Sequence, residues 1–128
     1  MEIGFGRTVD LAFDEAVLRT EAALAREGFG VLTRIDVRET LKKKLGEEMP
    51  PFLILGACNP PLAHRALTRA PEVGLLLPCN VVVRQVDGNR VRVEAINAEM
   101  MAEAVPGGGL EEIAAQVNRL LARVIESI

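Results

Sequence analysis

The tripeptide Asp87-Gly88-Asn89 constrains the fold more than any other part of the sequence. Before it, residues 73–86 contain two strand-like pieces interrupted by Pro78, which cannot donate a hydrogen bond to a sheet ladder. After it, residues 90–96 alternate apolar and polar side chains. A turn of this composition between two such segments is typical of a β-hairpin. At least part of the sheet is therefore predicted to be antiparallel.

The remaining periodicity predicts one α+β domain that spans residues 1–128. Alternation or continuous apolar character predicts further strands over residues 4–9, 29–37 and 52–58. The last of these is mostly apolar, as expected for a central strand that is covered on both faces. Helices are predicted between an Asp10 or Asp14 cap and Gly28, over 38–45, 61–70 and 110–128, with a helical turn in 97–104. The simplest architecture is a mainly antiparallel sheet with helices packed on one face.

The composition excludes several classes of protein. Hydrophobic residues make up 49% of the 128 residues and charged residues 26%, which is typical of a folded globular chain and not of a disordered one. The sequence contains no Trp, no Tyr and four Phe, and its net charge is −3. Single-stranded nucleic acid is bound by aromatic stacking and duplexes by positive charge, so nucleic acid is not an expected partner. A basic cluster at Arg34, Arg38 and Lys42-Lys43-Lys44 is interpreted as a solvated surface.

No segment predicts contact with a membrane. The longest apolar runs fall well short of the ~20 residues that span a bilayer. The first residues lack the basic and apolar regions of a secretory signal, so the chain is expected in the cytoplasm without a membrane partner. Two cysteines are too few for a disulfide-stapled scaffold.

Two Cys-Asn pairs next to prolines are the main candidates for a functional site. Cys58 and Asn59 precede Pro60 at the end of one predicted strand, and Cys79 and Asn80 follow Pro78 within another. Irregular backbone at strand ends leaves polar groups free, and Asn side chains can satisfy them. If the two strands are neighbours, both thiols converge with His64, which lies on the intervening helix. These five residues predict a small-ligand site, and Cys58, Cys79 and His64 predict a soft-metal site for zinc or copper.

Other interpretations of the cysteines remain open. Free cysteines are often small buried hydrophobes, two of them this far apart match no paired zinc-ligand signature, and a lone His is commonly a surface residue. The same two thiols, Cys58 and Cys79, are also compatible with a thiol-dependent enzyme or a redox sensor. No catalytic triad or carboxylate pair is recognisable, so a non-enzymatic module is favoured and its cofactor is left unassigned.

Charge segregation predicts self-association. An acidic stretch opposes the basic cluster, and complementary patches on one small chain suit a symmetric homodimer. The stretch consists of Glu94, Glu99, Glu103, Glu111 and Glu112. The alternative functions for such surfaces are plain solubility and a structural protein-interaction domain.

Several motifs resemble one known family over nearly the whole chain. They are Gly28-Phe29-Gly30, Cys58-Asn59-Pro60 and Leu77-Pro78-Cys79-Asn80, in this order. The sequence is similar to the bacterial and archaeal domain-of-unknown-function family three-hundred-and-two, with one departure at Ala98, where the family often has proline. The resemblance implies a curved antiparallel sheet with helices on one side, like the TATA-binding protein, and a tendency to dimerise. It implies no activity, and a shared fold does not carry DNA binding with it.

Overall fold

Five strands form a single antiparallel sheet in the computed structural model, which describes all residues 1–128. The spatial order is β1-β5-β4-β3-β2, and every neighbouring pair is antiparallel. The sheet is therefore antiparallel throughout, and the predicted α+β class is confirmed. The strands are β1 (Gly4–Val9), β2 (Gly30–Asp36), β3 (Phe52–Cys58), β4 (Cys79–Asp87) and β5 (Arg90–Ile96).

The predicted hairpin joins β4 to β5. The Asp87 carboxylate accepts hydrogen bonds from Arg90 Nε at 2.8 Å and from the backbone N–H of Asn89 at 3.3 Å. These bonds stabilise the charged carboxylate, so the pKa of Asp87 lies below its ordinary value, with the Arg90 bond as the largest cause. The turn residues thus stabilise the pairing of Asp87 with Arg90, where the β4–β5 ladder begins.

Five helices connect or follow the strands. Asp36 caps α2 by accepting from the Glu39 backbone N–H at 2.9 Å, and Gly46 ends that helix with φ of 69°, a conformation that glycine adopts without steric cost. The predicted Asp cap of α1 is wrong, because Ala12 occupies that position and Asp14 lies in the first turn. The helices are α1 (Phe13–Arg26), α2 (Val37–Leu45), α3 (Pro60–Arg69), α4 (Glu99–Ala104) and α5 (Glu111–Glu126).

One face of the sheet is buried beneath α1 and α5. Leu55, Val81, Val83, Val91 and Val93 have no exposed surface on this face, and both helices contact it. Ile54 and Val82 alternate with them on the opposite face and are only half-buried. The expectation that β3 is covered on both faces is therefore wrong. The long helices α1 and α5 pack on one face only, and an antiparallel sheet tolerates an opposite face that is open to water.

The first strand-like piece predicted in residues 73–86 is not a strand. Pro71–Leu76 form a short 3-10 helix, in which Val73 is buried and Leu75 is 90% exposed. The backbone N–H groups of Val73 and Leu77 donate to the carbonyl oxygens of Ala70 and Gly74, three residues earlier in each case. The apolar composition predicted a strand here. The backbone groups instead form hydrogen bonds with residues nearby in the chain, so they do not pair with a neighbouring strand.

A continuous set of 28 buried hydrophobic residues forms the core between the sheet and the helices. Every helix and strand except α2 and β2 contributes at least one buried residue to this core, and β2 packs the partly buried Val31 against it. Helix α5 has the longest apolar stripe and supplies Ile113, Val117 and Leu121. No helix combines the length and apolar character needed to cross a membrane.

Candidate functional site

Strand pairing brings the two Cys-Asn motifs to the same end of the sheet. Ala57, next to Cys58, lies directly opposite Cys79 in the β3–β4 ladder, while Cys58 itself lies opposite Gly30 of β2. The sequence predicted that the motifs meet if their strands are neighbours, and β3 and β4 are neighbours. Since successive residues of a strand face opposite sides, Cys58 and Cys79 approach the site from different faces of the sheet.

A cavity of about 300 Å³ opens at this sheet end, between the strands and the helices α3, α4 and α5. Of its 15 lining residues, 13 are hydrophobic and none is charged, so the cavity is an apolar environment. Three residues of the predicted site line it: Cys58, Asn59 and Cys79. The others are Phe29, Leu32, Ala57, Leu62, Ala63, Ala66, Leu67, Leu77, Pro78, Met101, Ile113 and Val117.

Asn59 holds the cavity wall together. Its Oδ1 accepts from the backbone N–H of Leu62 at 3.3 Å and so caps α3, while its Nδ2 donates to the Glu27 carbonyl at 3.5 Å. The adjacent Gly28 has φ of 83°, and a Cβ there would lie 3.2 Å from Asn59 Nδ2. Glycine at position 28 therefore allows the chain to leave α1 in a left-handed conformation close to Asn59. Asn59 therefore forms hydrogen bonds with otherwise unpaired backbone groups, as predicted.

The two thiols differ in environment. Neither forms a disulfide, Cys79 is buried and Cys58 is half-buried. Burial is the main cause that raises the pKa of the Cys79 thiol to about 11, and nearby Cys58 contributes further. At neutral pH Cys79 is therefore a protonated, weakly polar part of the wall.

Two of the predicted site residues lie outside the cavity. His64 is exposed on α3, and Asn80 is exposed on the face of the sheet opposite to Cys79. No group of three or more His, Cys, Asp or Glu side chains is arranged to hold a metal ion, so Cys58, Cys79 and His64 do not form a three-ligand set. The helical repeat and the strand alternation turn these two side chains away from the thiols.

The sequence did not reveal the apolar part of the site. Leu32, Met101, Ile113 and Val117 come from three distant segments and carry no motif. Their spacing marked them as ordinary strand and helix residues, and only packing of α4 and α5 over the sheet end places them together. Leu32 is also displaced by a bulge between Val31 and Thr33, which no pattern predicted.

The basic cluster is largely neutralised by neighbouring carboxylates. Arg34 pairs with Glu21 at 3.4 Å, Lys42 with Glu48 at 3.3 Å and Lys43 with Glu39 at 3.3 Å. Arg34 also lines a more polar depression of about 480 Å³ between α1, β2 and β3, together with Asp14, Asp36 and Arg38. Glu21 lines it as well, so three carboxylates face two guanidinium groups, which fits a solvated surface better than a phosphate site.

Comparison with known proteins identifies the family. The model of the family "Domain of unknown function DUF302" matches residues 5–128. The chain belongs to the DUF302 family. The resemblance noted in the sequence is thereby confirmed. No curated protein matches the chain significantly.

The fold of this DUF302 protein is shared with a solved relative. The crystal structure of an uncharacterized conserved DUF302 protein from Bacillus stearothermophilus is 32% identical in sequence and superposes with a TM-score of 0.91. The match covers 99% of this chain and 98% of that chain. The more specific likeness to the TATA-binding protein stays a prediction. The family description assigns no activity, so roles for the site residues follow from their geometry alone.

Proposed function

We propose that this DUF302 protein is a cytoplasmic, non-enzymatic module that binds a small molecule in the cavity beside Cys58, Asn59 and Cys79. The observation that carries the proposal is the cavity itself, about 300 Å³, at the point where both motifs meet. Small-molecule sites are typically apolar concavities of ~300–1,000 Å³ with few polar groups that orient the ligand. Asn59 and the two thiols are the polar groups of this cavity.

The electrostatics favour a molecule over a soft metal ion as the ligand. Metal ligation releases the thiol protons, and the raised pKa of Cys79 makes that release more costly at this residue. His64, the third predicted ligand, is exposed away from the cavity. Cys58 and Cys79 offer two ligands at most, whereas structural zinc sites use four.

Two eight-carbon probes, neutral 2-octanone and anionic octanoate, test whether the cavity binds molecules at all. We expect at least one of them to shift the backbone amide resonances of Cys58, Asn59 and Cys79 in two-dimensional NMR. Ala63→Leu places a larger side chain on the cavity wall and should abolish these shifts. Ala122→Leu on α5, also half-buried but outside the cavity, is the matched control and should bind like the wild type. No binding of either probe at millimolar concentration would overturn the proposal.

Thiol chemistry is the alternative use of the same residues. It requires an accessible thiol of lowered pKa in an electropositive setting. Cys79 is buried with a raised pKa, and no cationic side chain lines the cavity. We therefore expect iodoacetamide at neutral pH to leave Cys79 unmodified and to react with Cys58 no faster than with a simple thiol. Rapid modification of either residue, read by mass spectrometry, would favour the enzyme or sensor alternative.

We further propose that the protein is a homodimer, formed through the face of the sheet opposite to α1 and α5. Ile35, Ile54 and Val82 lie side by side on adjacent strands of this face and remain partly exposed. A contiguous apolar row on a folded chain favours contact with another surface.

Charges of both signs flank the apolar row. Glu94, the first member of the predicted acidic stretch, pairs with Arg84 at 3.1 Å and with Arg92 at 3.3 Å on the same face. A twofold axis brings the same patch of each copy together, so a surface that carries both signs can be self-complementary. The same features also suit a different protein partner, which is the interaction-domain alternative.

Val82→Arg tests the homodimer. We expect sedimentation equilibrium at micromolar concentration to show a dimer for the wild type and a monomer for this variant, with circular dichroism unchanged. Leu18→Arg, an exposed leucine on α1, is the matched control and should remain dimeric. A monomeric wild type, or a variant that still dimerises, would contradict the proposed interface.

A further inference from the structure

The lining of the cavity restricts the chemical class of its ligand. None of the lining side chains carries a charge, and Asn59 is the only one with an amide group. That amide already serves Leu62 and the Glu27 carbonyl. A charged ligand group inside the cavity would be removed from water without a counter-ion, which is strongly unfavourable.

The volume of the cavity restricts the size of the ligand. An apolar cavity of ~150 Å³ accommodates one benzene molecule. The cavity of about 300 Å³ therefore accommodates a molecule up to about twice that size. The sulfur atoms of Cys58, Cys79 and Met101 add polarizable surface, which adapts to hydrocarbon ligands of irregular shape.

Two exposed leucines line the cavity. Leu32 and Leu67 line it and are 66% and 38% exposed, respectively. The 3-10 segment that carries exposed Leu75 and Leu76 adjoins this rim, because a Cβ at Gly74 would lie 3.6 Å from Leu67 Cδ2. Leu32 and Leu67 thus give the opening itself an apolar surface, and exposed apolar surface of this kind marks binding sites. An apolar molecule thus meets apolar surface before it enters.

We infer that the ligand is an uncharged, largely hydrocarbon molecule up to about twice the size of benzene, which enters past Leu32 and Leu67. This inference rests on the proposed function and narrows it to one chemical class.

Titration of the full chain with 2-octanone and octanoate distinguishes this class from other small molecules. We expect 2-octanone to bind at least tenfold more tightly than octanoate at neutral pH, read from the Cys58 and Cys79 amide resonances, because octanoate is the probe that carries a charge. Octanoate binding that equals or exceeds ketone binding would overturn the class and leave the proposed function standing. Failure of both probes would overturn the proposed function and this inference together.

Substitution at the rim tests the entry route. Leu32→Asp places a charge at the opening and should weaken 2-octanone binding several-fold. Leu45→Asp on α2 is the matched control, since Leu45 is 68% exposed and outside the cavity. Both leucines are exposed, so both variants should fold like the wild type. Equal binding by both variants would overturn the route past Leu32.

Discussion

Asn59 joins the end of α1 to the start of α3. Its side chain bonds both the Leu62 N–H and the Glu27 carbonyl, so one residue fixes two walls of the cavity. A side chain with both an acceptor and a donor is needed for this arrangement, and only an amide combines them at this length.

Asn59→Ala should lower the free energy of unfolding by about 1 kcal/mol, because the cap of α3 is lost. Asn59→Asp keeps the acceptor for Leu62 but loses the donor to Glu27, so its loss should be smaller. Urea denaturation of the three proteins measures these differences. An alanine variant as stable as the wild type would show that the cap is not needed.

Cys79 should make stability depend on alkaline pH. Its pKa is about 11 in the folded chain, against an ordinary value of 9.0. As the pH rises through this window, the unfolded chain loses its thiol proton first, so the contribution of Cys79 is complete below pH 9 and is lost towards pH 11. The free energy of unfolding should fall by at most about 1.4 kcal/mol per pH unit there. The unfolding free energy of Cys79→Ala should fall less between pH 9 and pH 11 than that of the wild type, as measured by denaturant titrations at the two pH values. An equal fall in both proteins would contradict the prediction.

At the scale of the element, the close packing of β3 against its neighbours defines the sheet end. A Cβ at Gly56 would lie 2.2 Å from Thr33 Oγ1 and 2.8 Å from Pro78 Cγ. Such separations are shorter than real contacts, so glycine is required for β2 and the start of β4 to approach β3 here. Pro78, which the sequence marked as an irregularity, thus packs directly on the strand that carries Cys58.

Gly56→Ala should destabilise the protein by about 1–3 kcal/mol, because the added methyl group forces these neighbours apart. Gly30→Ala is the matched control, since Gly30 lies in β2 and a Cβ there meets no atom within 4 Å. Thermal unfolding of the two variants should separate them clearly. Equal melting temperatures would show that the sheet end relaxes without cost.

At the scale of the whole molecule, a single core supports the sheet, the helices and the cavity. Leu121 on α5 has no exposed surface and belongs to this core, whereas Leu75 in the 3-10 helix Pro71–Leu76 is 90% exposed. The stability of the fold should therefore depend on Leu121, whereas Leu75 is available for contact with another molecule.

Leu121→Ala should cost about 2–5 kcal/mol of unfolding free energy, because it leaves a hole in a packed core. Leu75→Ala removes the same atoms from the surface and should change stability by less than about 0.5 kcal/mol. Chemical denaturation compares the two directly. Similar losses for both would mean that Leu75 is covered in solution, as in a complex with another chain.

The sequence alone indicated most of the local elements and three residues that line the cavity. The hairpin turn, the alternation of β5 and the apolar stripe of α5 are properties of residues close in the chain, and such patterns indicate local geometry. The Cys-Asn motifs likewise indicated Cys58, Asn59 and Cys79, because the prolines beside them interrupt regular structure.

Only the tertiary structure decided the order of the strands, the 3-10 helix in place of a strand at residues 71–76, and the presence of the cavity. Strand pairing set Cys79 inward and Asn80 outward, and packing of α4 and α5 brought Met101, Ile113 and Val117 to the sheet end. An apolar side chain looks the same in sequence whether it fills a core or lines a cavity. The difference lies in which distant surfaces fail to meet, and that depends on the whole packing arrangement.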